Sequence, residues 1–141
     1  VTTFLSQHFS LEELTTTQVR SVDNTAPPEV VTVLQDTAAH MEIVRSWLGQ
    51  PIHVNSGYRC PTLNRIIGSK PTSAHITGHA VDFICPGFGT PLDVCRAIED
   101  AGIQFDQLIW EGSWTHISFD PRMRQQVLTM KKGRYTFGLN T

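Results

Sequence analysis

One stretch of the chain constrains the fold more than any other. Between Pro28 and Leu48, the residues Val30, Leu34, Ala38, Met41, Val44 and Leu48 recur at steps of three and four, which lines them up on one face of an α-helix. Pro28 suits the first helical turn, where its missing N–H leaves no hydrogen bond unmade. Gly49 closes the helix and Pro51 follows it. A long helix that is apolar on one side has to lay that side against another layer. It is read as the main core helix, and the partner layer has to come from the rest of the chain.

In that remainder the pattern changes. Pro51 to Asn55 reads as a short strand ending at Ser56-Gly57, Thr62 to Ile67 as one or two helical turns, and Gly68 to Thr77 as a polar loop. Ala80-Val81-Asp82-Phe83-Ile84 is a strand closed by Pro86-Gly87. Thr90 as cap and Pro91 at the first helical position open a second helix, which runs to Ala101 and stops at Gly102. Gln107 to Trp110 and Trp114 to Phe119 are two strands, with Glu111-Gly112-Ser113 as the turn of a hairpin. Gln125 to Phe137 adds another hairpin turning at Lys132-Gly133. Ahead of the long helix, Ser10 and Glu13 form a capping box for a short helix at Phe9 to Leu14, and Val22 to Pro28 is a loop. The reading is α+β: helices packed on one mainly antiparallel sheet, in a single domain over residues 1–141.

Composition narrows the function classes. The chain is 40% hydrophobic and 17% charged, enough apolar material for one core. Its formal net charge of -2 and pI near 6.3 lack the basic footprint of a nucleic-acid binder. Lys131-Lys132 with Arg134 reads as a solvated turn. No apolar run approaches the ~20 residues of a membrane span. Val1 to Ser10 shows no basic start followed by an apolar stretch, so no signal peptide is read there and synthesis in the cytoplasm is expected. The three cysteines, Cys60, Cys85 and Cys95, form neither a disulfide framework nor a C-x-x-C pair. They are expected as free, mostly buried thiols.

Two groups of residues can do chemistry. In Ser73-Ala74-His75-Ile76-Thr77-Gly78-His79-Ala80-Val81-Asp82, a loop histidine precedes an aspartate set within an apolar strand. A carboxylate near the core is costly unless paired, hydrogen-bonded or bound to a metal. Asp82 shares its face with the small Ala80, and Gly78 is read as letting the backbone approach whatever His75 holds. In Trp114-Thr115-His116-Ile117-Ser118, His116 also lies within an apolar strand. If the two strands are neighbours, His75, Asp82 and His116 converge as a donor set suited to tetrahedral zinc with one position open. The residues alone leave other readings in place: His116 as a hydrogen-bonded core residue, and Asp82 as an ion-pair partner of Arg59. His8, His40 and His53 are read as surface or packing residues, and His79 is left undecided.

Ser56-Gly57-Tyr58-Arg59, the S-x-H-x-x-G-x-A-x-D segment Ser73–Asp82, and Trp114-Thr115-His116-Ile117-Ser118 together resemble the three signature segments of the zinc D-Ala-D-Ala carboxypeptidase family. That family includes vancomycin-resistance dipeptidases and phage endolysins of the L-alanyl-D-glutamate peptidase type. Phe9 to Leu14 and the Asp23-Asn24-Thr25 loop are similar to its compact phage and prophage branch. The resemblance spans roughly Phe9 to Phe119. It implies a hedgehog/DD-peptidase-like fold, a zinc ion held by His75, Asp82 and His116, and Arg59 and Ser73 as substrate-holding residues. It also implies a peptidase acting on the peptidoglycan stem peptide at the cell wall, in the periplasm or from a phage particle, as a monomer.

One element departs from the pattern. The carboxylate that serves as general base three residues before the last histidine is replaced by Ser113. Glu111, at the end of the hairpin, is the nearest substitute, with Asp106 as a weaker one. The rival reading is a non-catalytic zinc-containing binding or phage-tail structural module of the same fold. Hedgehog signalling domains resemble that fold.

Overall fold

The computed structural model describes Val1–Thr141. Its elements run α1 (Leu11–Leu14), α2 (Pro28–Leu48), β1 (His53–Ser56), α3 (Pro61–Ile67), β2 (Ala80–Ile84), α4 (Pro91–Asp100), β3 (Gln107–Trp110), β4 (Thr115–Ser118), β5 (Gln126–Lys131) and β6 (Arg134–Phe137).

Local chemistry sets most of these boundaries. The Glu13 N–H donates to Ser10 Oγ at 3.1 Å, and the Ser10 N–H donates to the Glu13 carboxylate at 3.2 Å. Helix α2 begins with Pro28 and ends at Gly49, whose φ of 67° lets its N–H reach the Arg45 carbonyl at 2.8 Å. Thr90 and Asp93 build a second capping box for α4. Lys132 and Gly133, with φ of 51° and 74°, form the two-residue turn between β5 and β6, the left-handed pair that matches strand twist in a tight hairpin. Strand β4 is shorter than the sequence suggests. Trp114 closes the preceding turn by accepting the Glu111 N–H at 3.1 Å, and past Ser118 a single further bond in the β2–β4 register runs from the Phe119 N–H to the His79 carbonyl at 2.9 Å.

The six strands form one sheet in the order β1-β2-β4-β3-β5-β6. All pairs are antiparallel except β3 with β5. The architecture is thus the expected α+β arrangement with a mainly antiparallel sheet. On one side of the sheet, Leu34, Ala38, Met41, Val44 and Leu48 of α2 join Val94, Cys95 and Ile98 of α4 in a single core with Val81, Phe83, Leu108 and Ile117. Strand alternation sends the intervening residues to the opposite side. There the register aligns Asp82, His116, Ile109, Leu128 and Phe137 in one row across β2, β4, β3, β5 and β6. The helices make a core of one face and leave the other as the floor of a groove. No helix is long and apolar enough to cross a membrane.

Candidate metal centre

Asp82 and His116 are direct partners across the β2–β4 ladder, so their side chains meet above the sheet. His116 Nδ1 lies 2.8 Å from Asp82 Oδ1. His75 arrives from the loop before β2, its N–H held by Ser73 Oγ at 3.2 Å. Its ring Nδ1 lies 2.7 Å from the Gly57 carbonyl. A carbonyl only accepts, so Nδ1 carries the proton and Nε2 keeps its lone pair. That Nε2 faces Asp82 Oδ2 at 3.3 Å. All three residues are buried, and one ligand atom from each lies within 4.8 Å of the others. Bonds of about 2.0–2.2 Å in a tetrahedral site place ligand atoms roughly 3.3–3.5 Å apart. The His75–Asp82 contact already has that spacing, and the His116–Asp82 contact needs to open by about half an ångström to match it. Two imidazoles and one carboxylate therefore fit a divalent metal.

The electrostatics suit the same purpose. Burial pushes the Asp82 carboxyl up, but His75 and His116 overcome this and hold it well below the ordinary carboxylate range. Burial lowers His75 despite the adjacent Asp82, favouring its neutral, ligating form. For His116, burial is outweighed by the hydrogen bond and charge of Asp82, and its pKa is raised.

Arg59 follows β1 and is anchored on both sides by Asn24. The Asn24 amide donates to the Tyr58 carbonyl at 2.9 Å and to the Thr15 carbonyl at 2.9 Å, while its Oδ1 accepts the Cys60 N–H at 2.8 Å. The Arg59 N–H donates to the His75 carbonyl at 3.0 Å, which ties these two segments together. Its guanidinium donates to Ser56 Oγ and to Asp82 Oδ2, each at 3.1 Å. Asp82 is thus an ion-pair partner of Arg59 and a member of the His-Asp-His group at once. Ser73 is half-buried in the groove wall, where its own hydroxyl caps the His75 N–H.

Glu111 folds back from the hairpin end. Its Oε2 accepts the Trp114 indole N–H at 3.2 Å and lies 3.9 Å from His116 Nδ1. Burial raises its carboxyl above the ordinary glutamate value. Asp106 lines the same groove but is engaged: Arg124 donates to both of its oxygens, at 2.8 and 2.9 Å, and holds its pKa low. Ser113 is exposed at the turn.

Other expectations resolve simply. His79 is bonded to Thr77 Oγ1 at 2.6 Å, His8 pairs with Glu42, His40 stacks on Phe119, and His53 is exposed on β1. The three cysteines are free. Gly78 differs from its sequence reading. Its φ is 86°, and a Cβ there would meet Val30 and Leu34 at 3.2 and 3.4 Å, so the residue serves the packing of α2 and not an approach to a ligand.

Sequence reasoning missed Asn24, Gly57 and Trp114 as supports of the site. It also missed Gln126, Tyr135 and Phe137, which line the groove of about 690 Å³ above the sheet. A glycine directly after a strand was the only signal for Gly57, and nothing marked the contributions of β5 and β6.

A family model described as Peptidase M15 matches residues 7–118. The chain is a member of the Peptidase M15 family. The match takes in Arg59, Ser73, His75, Asp82, Glu111 and His116, and ends before β5 and β6. M15 peptidases depend on a metal, and the buried His75-Asp82-His116 group is where this member could hold one. Comparison with curated protein sequences finds no match.

Proposed function

We propose that this M15 member is a zinc peptidase that hydrolyses a peptide bond in bacterial peptidoglycan, as a D-Ala-D-Ala carboxypeptidase or a murein endopeptidase. His75, Asp82 and His116 are the zinc ligands in this reading. Zinc at this centre would polarise the scissile carbonyl and acidify a water towards a pKa of about 7. Glu111 takes a proton from the attacking water and returns one to the leaving amine. The Trp114 indole holds that carboxylate in place. Arg59 supplies guanidinium donors to a substrate carbonyl or carboxylate, and Ser73 a hydroxyl to the substrate backbone. Gly57 holds His75 in the ligating tautomer.

The observation that carries this reading is Glu111. A carboxylate drawn into a partly buried position beside His116, oriented by an indole N–H, incurs a desolvation cost that a non-catalytic zinc-holding or phage-tail module has no use for. The stem peptide is the proposed partner and the cell wall the proposed place of action. A place in a phage particle is compatible with both. The test is to digest purified muropeptides with zinc-loaded protein, weigh the products by mass spectrometry, and measure the metal content. Cleavage with about one zinc per chain is expected, and His116→Ala should lose both. A zinc-loaded protein that leaves every muropeptide intact removes the peptidase reading in favour of the binding module.

A further inference from the structure

We propose that the groove end formed by Lys70, Arg122, Arg124 and Gln126 is a carboxylate-binding subsite, which seats an acidic group of the substrate about three to four residues from the scissile bond. This deepens the peptidase reading and rests on it for the identity of the substrate.

This end of the groove carries hydrogen-bond donors without partners. Asp106 is 1% exposed and fully engaged: Oδ1 accepts the backbone N–H and Nε of Arg124 at 3.0 and 2.8 Å, and Oδ2 accepts Nη2 at 2.9 Å. That grip takes one edge of the Arg124 guanidinium and leaves Nη1 without a partner in the protein. Gln126 Oε1 is taken by Gln107 Nε2 at 3.1 Å, so the Gln126 amide nitrogen remains as a donor. Arg122 spends its Nε on Asp120 Oδ1 at 3.0 Å and keeps its outer nitrogens, the nearer 3.9 Å from Asp106. Lys70 lines the same groove from the loop after α3 and makes no ion pair. The groove is lined by four cations (Arg59, Lys70, Arg122 and Arg124) against three acids (Asp82, Asp106 and Glu111), in a chain whose net charge is -2. The acceptors are consumed while the donors are not, which is an environment for an anion.

The arrangement is also rigid. Met123 and Gln125 flank Arg124 with φ of 40° and 56°, a region that costs free energy for residues with a Cβ. The Gln125 side chain holds this shape, donating to the Ile103 carbonyl at 2.6 Å and accepting the Phe105 N–H at 3.1 Å. The donors are therefore positioned before a ligand arrives. Gln107 and Gln126 pair in the row next to Ile109 and Leu128, two residues along the strands from the row of Asp82 and His116. That step is about 7 Å along the strands, and β5 lies two strands, about 10 Å, across from β4, so Gln126 stands about 12 Å from His116. An extended peptide with its scissile carbonyl at the metal centre reaches that far in about three to four residues.

The test uses two muropeptides that differ only in a carboxylate replaced by its carboxamide. Zinc-loaded wild type should cleave the carboxylate form with about tenfold higher kcat/KM. The double variant Arg122→Gln, Lys70→Gln should lose that preference, with the loss carried by KM. Equal kcat/KM for the two forms in the wild type, or a preference that survives in the double variant, overturns the subsite while leaving the peptidase reading intact. If neither form is cut, the peptidase reading fails by itself. Calorimetric titration of the same pair then decides the subsite. Tighter binding of the carboxylate form by wild type but not by the double variant upholds it, and equal or absent binding overturns it.

Discussion

Glu111→Gln isolates the proton acceptor from everything else at the site. The amide has nearly the same volume as the carboxylate, and its oxygen can still accept the Trp114 indole N–H that now reaches Glu111 Oε2 at 3.2 Å. Geometry is preserved while basicity is lost. A positioned general base contributes about 100-fold or more, so kcat on muropeptides should fall by about that factor, with zinc content unchanged. Stability should respond in the opposite sense. Burial raises the folded carboxyl above its ordinary 4.5, which means the ionised form is disfavoured in the fold. The wild type therefore loses stability as pH rises from that ordinary value through the raised one. In the metal-free protein, the variant should melt at the same temperature as the wild type below that window and at a higher one above it. Paired turnover, metal analysis and thermal melts on one preparation check all three statements. A rate within a few-fold of wild type would refute Glu111 as the base, and loss of zinc would make it a ligand instead.

Arg59→Ala should keep zinc and lose about 100-fold in turnover if its guanidinium stabilises developing charge; unchanged turnover with weakened folding would assign it to the ion pair with Asp82 alone. Gly57→Ala would set a Cβ 2.4 Å from the Leu14 carbonyl oxygen, so it should destabilise the fold by about 2 kcal/mol. Through the Gly57 carbonyl that orients His75, it should also weaken zinc binding by about 10- to 100-fold; equilibrium unfolding and competition with a chelator read the two effects. Asp106→Asn should cost about 2–3 kcal/mol through the Arg124 hydrogen bonds. Because Arg124 holds the folded carboxyl below its ordinary 3.8, this stabilisation is present above that pH and lost as pH falls through the lower folded value, so the variant's acid unfolding limb should be flatter than the wild type's.

What could be read from residues alone was what local chemistry decides. Pro28 and Gly49 bound α2, and Thr90, Pro91 and Gly102 bound α4, because caps and left-handed turns depend on a few adjacent residues. The hairpins at Glu111-Gly112-Ser113 and Lys132-Gly133 follow from the same kind of signal. His75, Asp82 and His116 were legible as candidates because polar residues in apolar strands need partners. Their convergence was conditional on β2 lying beside β4, a non-local fact that no periodicity encodes. Asn24 was harder still: it looks like any loop asparagine, and only the folded chain brings Thr15, Tyr58 and Cys60 around it. Gly78 misled because its positive φ is needed for contact with α2, on the opposite side from the ligand cluster.

The parallel β3–β5 pair shows how one topological step can set the shape of the whole groove. β4 ends at Ser118 opposite Gln107, where β3 begins, and β5 starts at Gln126 opposite the same Gln107, so pairing on the far side of β3 requires only a step across the end of that strand. Residues 119–125 make that step in a short path. Their tightness is visible in the positive φ of Met123 and Gln125, and in the fastening of that path to the start of β3 by Asp106 and Gln125. A looser, longer connection could place β5 equally well, but it would not fix Arg122 and Arg124 at the groove end. Because β5 runs parallel to β3, Gln126 and Leu128 extend the rows of Gln107 and Ile109 outward from the metal centre, and β6 adds Phe137 to the outer edge. The family match ends at residue 118, just before this crossover. The residues proposed to hold the metal and those proposed to seat the substrate's acidic group thus come from different parts of the chain, joined by a segment whose strain is offset by its anchoring.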